Sequence, residues 1–407
     1  MMKHVIIGAG AAGISAAKAI REHNKNDEIV IISTDEAVYS RCMLHHYISG
    51  KRSVPELSFV SDGFFTDNNI RWISNTTASR IDIGTKTVCF GGGSETFDKL
   101  LIATGAQSAL PPIEGLCKAK GVYGLRDLPD AKAIAEKAAK AENIVILGAG
   151  LVGMDAAYGL SKIGKKPMVI EMANHILPMN LDEGAAEIYK AKFESVGTKF
   201  KLSSKLSQAT CNSQGEIESV SLSTGENLPC DLLIVATSTK PNTDWASSSG
   251  IKTERGIVVD KHLKTSADGI YAAGDVTGIS GTWPDAMEQG EIAGMNMCGL
   301  DVEYSDIVLT KCTMSFFEIP TLSIGQFWAK NGDAEQFRES KGRYEKVILT
   351  DGIPVGVILQ GNISRSGYWQ YLIKNKINTS SIKKPIWKIS FADAYSLEEN
   401  GEYKWAL

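Results

Sequence analysis

The 407-residue sequence contains no Cys-x-x-Cys pair, and its seven cysteines, Cys42, Cys89, Cys117, Cys211, Cys230, Cys298 and Cys312, are odd in number and scattered. This spacing excludes a CxxC redox disulfide and speaks against an intrinsic iron–sulfur cluster, which takes four closely organised thiolates. It reads as free-thiol usage in a reducing compartment, with no metal site expected. Histidine is scarce, with six in all and none after His262. No apolar run reaches the roughly 18 residues that a membrane span needs. Neither charge sign dominates: 43 Lys plus Arg stand against 47 Asp plus Glu, a formal charge of -4. A strongly basic nucleic-acid binder is excluded. What remains is 43% hydrophobic and 22% charged residues, ordinary globular values, in a chain long enough for two or three domains of about 150 residues. The opening MMKHVIIGAGAAGISAAKAI sets one basic residue before an apolar stretch, as a secretion signal does. Its glycines instead space out a strand, a turn and a helix, so a cytoplasmic chain is expected.

The run His4 to Ile7 reads as a buried strand, followed by Gly8-Ala9-Gly10-Ala11-Ala12-Gly13 and the helical ISAAKAIREH. Glycine permits the tight turn at Gly8, the close approach of a pyrophosphate at Gly10 and close helix–strand packing at Gly13, with a free helix N-terminus behind them. The pattern returns at residues 144 to 171: strand IVILG, then Gly148-Ala149-Gly150-Leu151-Val152-Gly153, a helix, and a strand PMVIE ending in Glu171. A carboxylate about 20 residues past the glycines suits a ribose 2′-hydroxyl. Met172, Ala173 and Asn174 follow Glu171, and no arginine stands there to neutralise a 2′-phosphate, so NAD is expected over NADP. In the first fingerprint the second strand runs into Ser33-Thr34-Asp35-Glu36, and the ribose contact stays open between Asp35 and the hydroxyls of Ser33 and Thr34.

Three further strands end in small residues: LLIATGA at 100–106, LLIVATSTKPN at 232–242 and GIYAAGDV at 269–276, the last closing on Asp275. Such endings mark places where the chain passes close to a ligand or to another strand. The ordered set resembles the two-dinucleotide-binding flavoproteins of the pyridine nucleotide-disulfide oxidoreductase superfamily, over essentially the whole chain. The resemblance implies an α/β fold with two Rossmann-like domains, one inserted in the other, and a C-terminal α+β interface domain. It assigns residues 1–106 and 237–303 to FAD, 107–236 to NAD and 304–407 to the interface domain. FAD would lie on Gly8, Gly10, Ala11, Ala12 and Gly13, with Ala103, Thr104, Gly105, Gly274 and Asp275. NAD(H) would lie on Gly148, Gly150, Leu151, Val152, Gly153, Glu171 and Thr237.

The segment Tyr39-Ser40-Arg41-Cys42-Met43-Leu44-His45-His46 resembles the Y-S-R-P-x-L segment of NADH:rubredoxin and NADH:ferredoxin reductases, which implies Arg41 on the FAD phosphates and Cys42 along the flavin ring. Coenzyme A-disulfide reductases, NADH oxidases and NADH peroxidases carry a redox cysteine near this place, in a Ser-Cys-Gly pattern that this sequence lacks. Two readings of Cys42 stand, a flavin-lining thiol and a redox centre whose pKa the adjacent Arg41 lowers. In the ferredoxin reductases a lysine near flavin N5 pairs with a glutamate of the NAD helix. The matching positions here are His46 and Asp155, expected to meet as imidazolium and carboxylate. Thr282 to Gly290 begins a helix with Pro284, and the resemblance sets its N-terminus, with Met287, at the flavin pyrimidine. Trp283 covers the ring or packs in the core. After Tyr304, KVILTDGIPVGVILQGN reads as two strands turning at Asp351-Gly352, then a helical YWQYLIKNKI. The tail, with Trp387, Tyr395 and Trp405, docks a partner or packs. With no histidine there, disulfide reduction by the family's acid–base route is not expected. The expected activity is hydride exchange between NAD(H) and FAD, and single-electron exchange with an iron–sulfur protein of ferredoxin type or rubredoxin. The resemblance covers stand-alone reductases and NAD-reducing subunits of larger complexes alike.

Overall fold

The computed structural model describes residues 1–116, 119–279, 281–305, 311–340, 342–393 and 395–405, so Cys117 lies outside the described residues. Strand Lys3–Ile7 pairs in parallel with Glu28–Ile32 on one side and Lys99–Ile102 on the other. Ile70–Ile73 and Ile270–Ala272 complete a five-stranded sheet. Its strands are apolar at consecutive positions because both faces are covered: Ile6, Ile29, Ile31 and Leu101 point to one core, Val5, Val30, Ile32 and Leu100 to another.

The second sheet repeats the first. Ile144–Leu147 is its centre, flanked by Met168–Ile170 and Leu232–Val235, with Lys199–Lys201 and Val122–Tyr123 outermost, all parallel. Each sheet is accompanied by a three-stranded antiparallel layer, at residues 78–96 and 206–229. The chain crosses between the two at Ala106–Ser108 and Thr239–Pro241, and these crossings pair side by side, antiparallel.

Two packing features position the functional residues. Helix Ala11–His23 lies against helix Trp283–Met297 at contact distance, because Gly290 and Gly294 face Ala12 and Ala16. A Cβ at Gly290 would lie 2.1 Å from the Ala12 carbonyl oxygen. The segment from Tyr39 to Leu57 packs with the second sheet: Tyr39, Leu44, Ile48 and Leu57 are buried with Leu128, Met154 and Ile234 in its core.

The C-terminal part holds five antiparallel strands in the order 311–316, 319–325, 353–360, 343–350, 334–340. The hairpin at Asp351-Gly352 is as expected, and helix Ser366–Lys374 follows it. Strand Ala334–Ser340, exposed at every residue, carries no alternation from which the sequence could reveal it. Met314, Phe316 and Tyr344 join the core of the second sheet, while Leu322, Val347 and Leu359 face Trp369 and Leu372 of the helix. Trp387 is half-buried beside them.

Candidate functional site

The two glycine fingerprints fold into the same backbone trap. Gly8 has φ +113° and Gly148 φ +103°, a region that L side chains rarely enter. A Cβ at Gly8 would lie 2.2 Å from the Ala103 oxygen and 3.4 Å from the Thr104 nitrogen. At Gly148 it would lie 2.6 Å from the Ala236 oxygen and 3.4 Å from the Thr237 nitrogen. Gly13 and Gly153 each abut the carbonyl of the first glycine, at 1.9 Å from a notional Cβ. At Gly10 and Gly150 such a Cβ meets nothing within 4 Å. Those middle positions therefore open onto free space where a ligand approaches.

Both helices starting there, Ala11–His23 and Leu151–Lys162, lack a side-chain cap and an acidic residue in the first turn. Helices Leu128–Lys140, Glu183–Ser195 and Trp283–Met297 are capped by Asp127, Asp182 and Thr282 and carry an acid in the first turn. The uncapped amides, with the helix dipole behind them, suit phosphate oxygens.

The first trap opens into a cleft of about 410 Å³ lined by Gly8, Gly10, Ala11, Ala12, Ser33, Thr34, Asp35, Arg41, Cys42, Ala103, Thr104, Gly105, Gly274 and Asp275. Gly13 lies behind the trap. Met287 does not reach the cleft. It is 42% exposed, and Trp283 and Ala286 line the cleft instead. A one-position step in a helix turns a side chain by about 100°. Trp283 meets Phe59 edge-on at 4.9 Å.

The polar groups of the cleft are already organised. The Ser33 hydroxyl accepts from the Trp72 indole at 3.0 Å and donates to the Asp35 carbonyl. Asp35 pairs with Arg41 at 2.9 Å and accepts from the Tyr39 hydroxyl at 2.8 Å. Thr104 donates to the Asn242 carbonyl at 3.2 Å. Arg126, which the sequence reading missed, reaches into the cleft, donates from Nε to the Ala106 carbonyl at 3.1 Å and pairs with Asp275. Its one sequence signal is a cation set directly before the Asp127 helix cap. Two guanidiniums, a trap and a helix N-terminus in one cleft fit the diphosphate of FAD.

Around the second trap, Leu151 is half-buried and Val152 is 38% exposed, both in the first helical turn. Thr237 is exposed beside Gly148. Glu171 accepts from the Ala149 amide at 2.7 Å and from the Ala173 amide at 2.9 Å, which holds its carboxylate at the mouth of the trap. These residues fit a dinucleotide whose ribose offers hydroxyls.

Behind the cleft, His45, and not His46, faces Asp155, with Nδ1 3.5 Å from Oδ1. The 3₁₀ turn Arg41–Met43 hands over directly to helix Leu44–Ile48, and this sets the phase by one residue. The charge state also differs from the expected ion pair. Burial, with His46 and Lys51 nearby, pushes His45 down to about 3, and burial pushes Asp155 up to about 8, so both favour their neutral forms at pH 7. His46 is lowered too, by burial and then Lys51 and Arg52. Cys42 opens onto the cleft, yet burial and the Asp155 carboxyl push its thiol up to about 11. Arg41, turned to Asp35 and Tyr39, does not activate it.

A family model described as pyridine nucleotide-disulphide oxidoreductase matches residues 2–290. The chain belongs to that family. This pyridine nucleotide-disulphide oxidoreductase is 32% identical over 398 residues to the NADH-dependent phenylglyoxylate dehydrogenase subunit epsilon of Aromatoleum evansii, covering 94% of this chain and 93% of that one. It is 33% identical over 328 residues to an NADH oxidase of Methanocaldococcus jannaschii, covering 75% and 72%. The NADH:rubredoxin oxidoreductase of Clostridium acetobutylicum has a similar structure, with a TM-score of 0.77, 25% identity and coverage of 94% and 97%. The oxidoreductase is an NADH-dependent flavoprotein with FAD and NAD(H) as cofactors. Among its described residues no helix is long and apolar enough to cross a membrane.

Proposed function

We propose that this oxidoreductase passes electrons between NAD(H) and an iron–sulfur protein or rubredoxin, with FAD in the first trap and NAD(H) in the second. Residues 1–106 and 237–303 then form the FAD part, 107–236 the NAD part and 304–407 the interface part, with the segment 39–57 bridging the first two. FAD held there would supply the conversion between two-electron hydride transfer and single-electron steps. The protein's share is orientation and charge. The Ala11 and Leu151 helix starts hold phosphates, and Arg41 and Arg126 neutralise the FAD diphosphate. Asp275 orients Arg126, and Glu171 takes the NAD ribose hydroxyls while repelling a 2′-phosphate. Asp155 and His45, both neutral, keep the wall behind Cys42 free of net charge.

The observation that carries this reading is the pair of matching traps, one opening on a cleft in which Cys42 is the one cysteine among the described lining residues, its thiol pKa raised by burial. A route to oxygen or disulfides through Cys42 needs a thiolate there. Cys42→Ser should therefore keep at least about half of the NADH-driven turnover with ferricyanide and with purified rubredoxin, since exchanging sulfur for oxygen off the electron path costs little. Loss of turnover with both acceptors, in a variant that retains FAD, would place the thiol on the path.

A further inference from the structure

The hydroxyl of Tyr39 ties the first cleft to the second sheet. Tyr39 is 4% exposed, and the hydroxyl uses all three of its hydrogen-bonding positions. It donates to Asp35 Oδ1 at 2.8 Å, and accepts from Arg41 Nη1 at 3.0 Å and from the Leu128 amide at 3.1 Å. Asp35 and Arg41 line the first cleft. Leu128 begins the helix Leu128–Lys140, whose buried face, Leu128, Ala131, Ile134 and Ala138, packs in the core of the second sheet.

The amides of that helix start can be accounted for one by one. Asp130 donates to the Asp127 carboxylate and Ala131 to the Asp127 carbonyl, while Pro129 has no N–H to satisfy. Leu128 N is buried and donates to Tyr39. Arg41 adds a second tie, from Nη1 to the Arg126 carbonyl at 3.1 Å, and Lys132 pairs with Glu36 at 2.8 Å. A ligand seated against Asp35 and Arg41 therefore acts on residues that also hold the start of this helix.

We propose that Tyr39 is a positioning residue that couples the two nucleotide sites, so that FAD in the first cleft fixes the NAD-binding half at the angle that hydride transfer needs. The inference rests on the proposed seat of FAD in the first cleft.

Hydrogen exchange, compared between the FAD-loaded and the FAD-stripped protein, tests it. In the wild type, FAD should slow exchange at the amides of residues 8–13 and also at Leu128, Asp130 and Ala131, the latter by about tenfold or more. In Tyr39→Phe, which keeps the buried ring, the slowing at 8–13 should persist and that at 128–131 should disappear. Its limiting rate of flavin reduction at saturating NADH should fall several-fold with an unchanged Kd for NADH. Equal slowing at 128–131 in wild type and variant would overturn the role of Tyr39. Should the variant not fold, wild type alone decides, since absence of slowing at 128–131 while 8–13 is slowed overturns the coupling. Absence of slowing at 8–13 would instead overturn the seat of FAD itself.

Discussion

Gly150→Val should give a folded yellow protein with full FAD content that NADH no longer reduces at a useful rate. The N-cap Gly150 has φ -72° and ψ -174°, an extended conformation that valine adopts without strain, and a Cβ there meets no protein atom within 4 Å. The fold therefore has little to lose. The added side chain fills the space where a pyrophosphate would meet the amides of the Leu151 helix, so kcat/KM for NADH should drop at least about a hundredfold. Gly153→Ala is the contrasting variant. Its Cβ would lie 1.9 Å from the Gly148 carbonyl, so the whole NAD-binding half should be destabilised. The paired measurements are FAD absorbance per protein and stopped-flow reduction by NADH. A Gly150→Val protein reduced at the wild-type rate would remove the second trap from the reaction.

Arg126→Ala should be recovered largely without FAD. Arg126 and Asp275 are 21% and 18% exposed at their side chains, and their ion pair sits in the first cleft. Removing the cation leaves a carboxylate facing the place of two phosphates. Breaking a fully buried pair costs about 3–5 kcal/mol. Discounted for partial exposure, a loss of FAD affinity on the order of a hundredfold is expected, roughly 2.7 kcal/mol. Arg126→Ala combined with Asp275→Ala should bind FAD better than Arg126→Ala alone, because the uncompensated charge is gone. Isothermal titration of stripped protein with FAD reads both values. A double variant weaker than the single would show that Asp275 holds FAD directly rather than through Arg126.

The traps were legible in the sequence because glycine there answers a local demand, a backbone carbonyl 2.2 Å or 2.6 Å from where a Cβ would stand. Glu171 was legible for the same reason, at a fixed distance along one strand–helix–strand unit. Arg126 was not, since its partner Asp275 is 149 residues away and only the tertiary fold brings them together. The choice between His45 and His46, and between Ala286 and Met287, depends on helix phase, where one position turns a side chain by about 100°. The neutral state of His45 and Asp155 follows from burial, and composition does not reveal burial. Tyr39 was visible as a motif letter, but its tie to Leu128 crosses 89 residues.

If electrons pass from NADH through FAD with no thiol on the path, an anaerobic titration of the FAD-loaded protein with NADH shows it. The flavin should bleach completely at about one NADH per FAD, two electrons, with the same endpoint in Cys42→Ser. Uptake of about four electrons per FAD in the wild type, falling to two in Cys42→Ser, would contradict it.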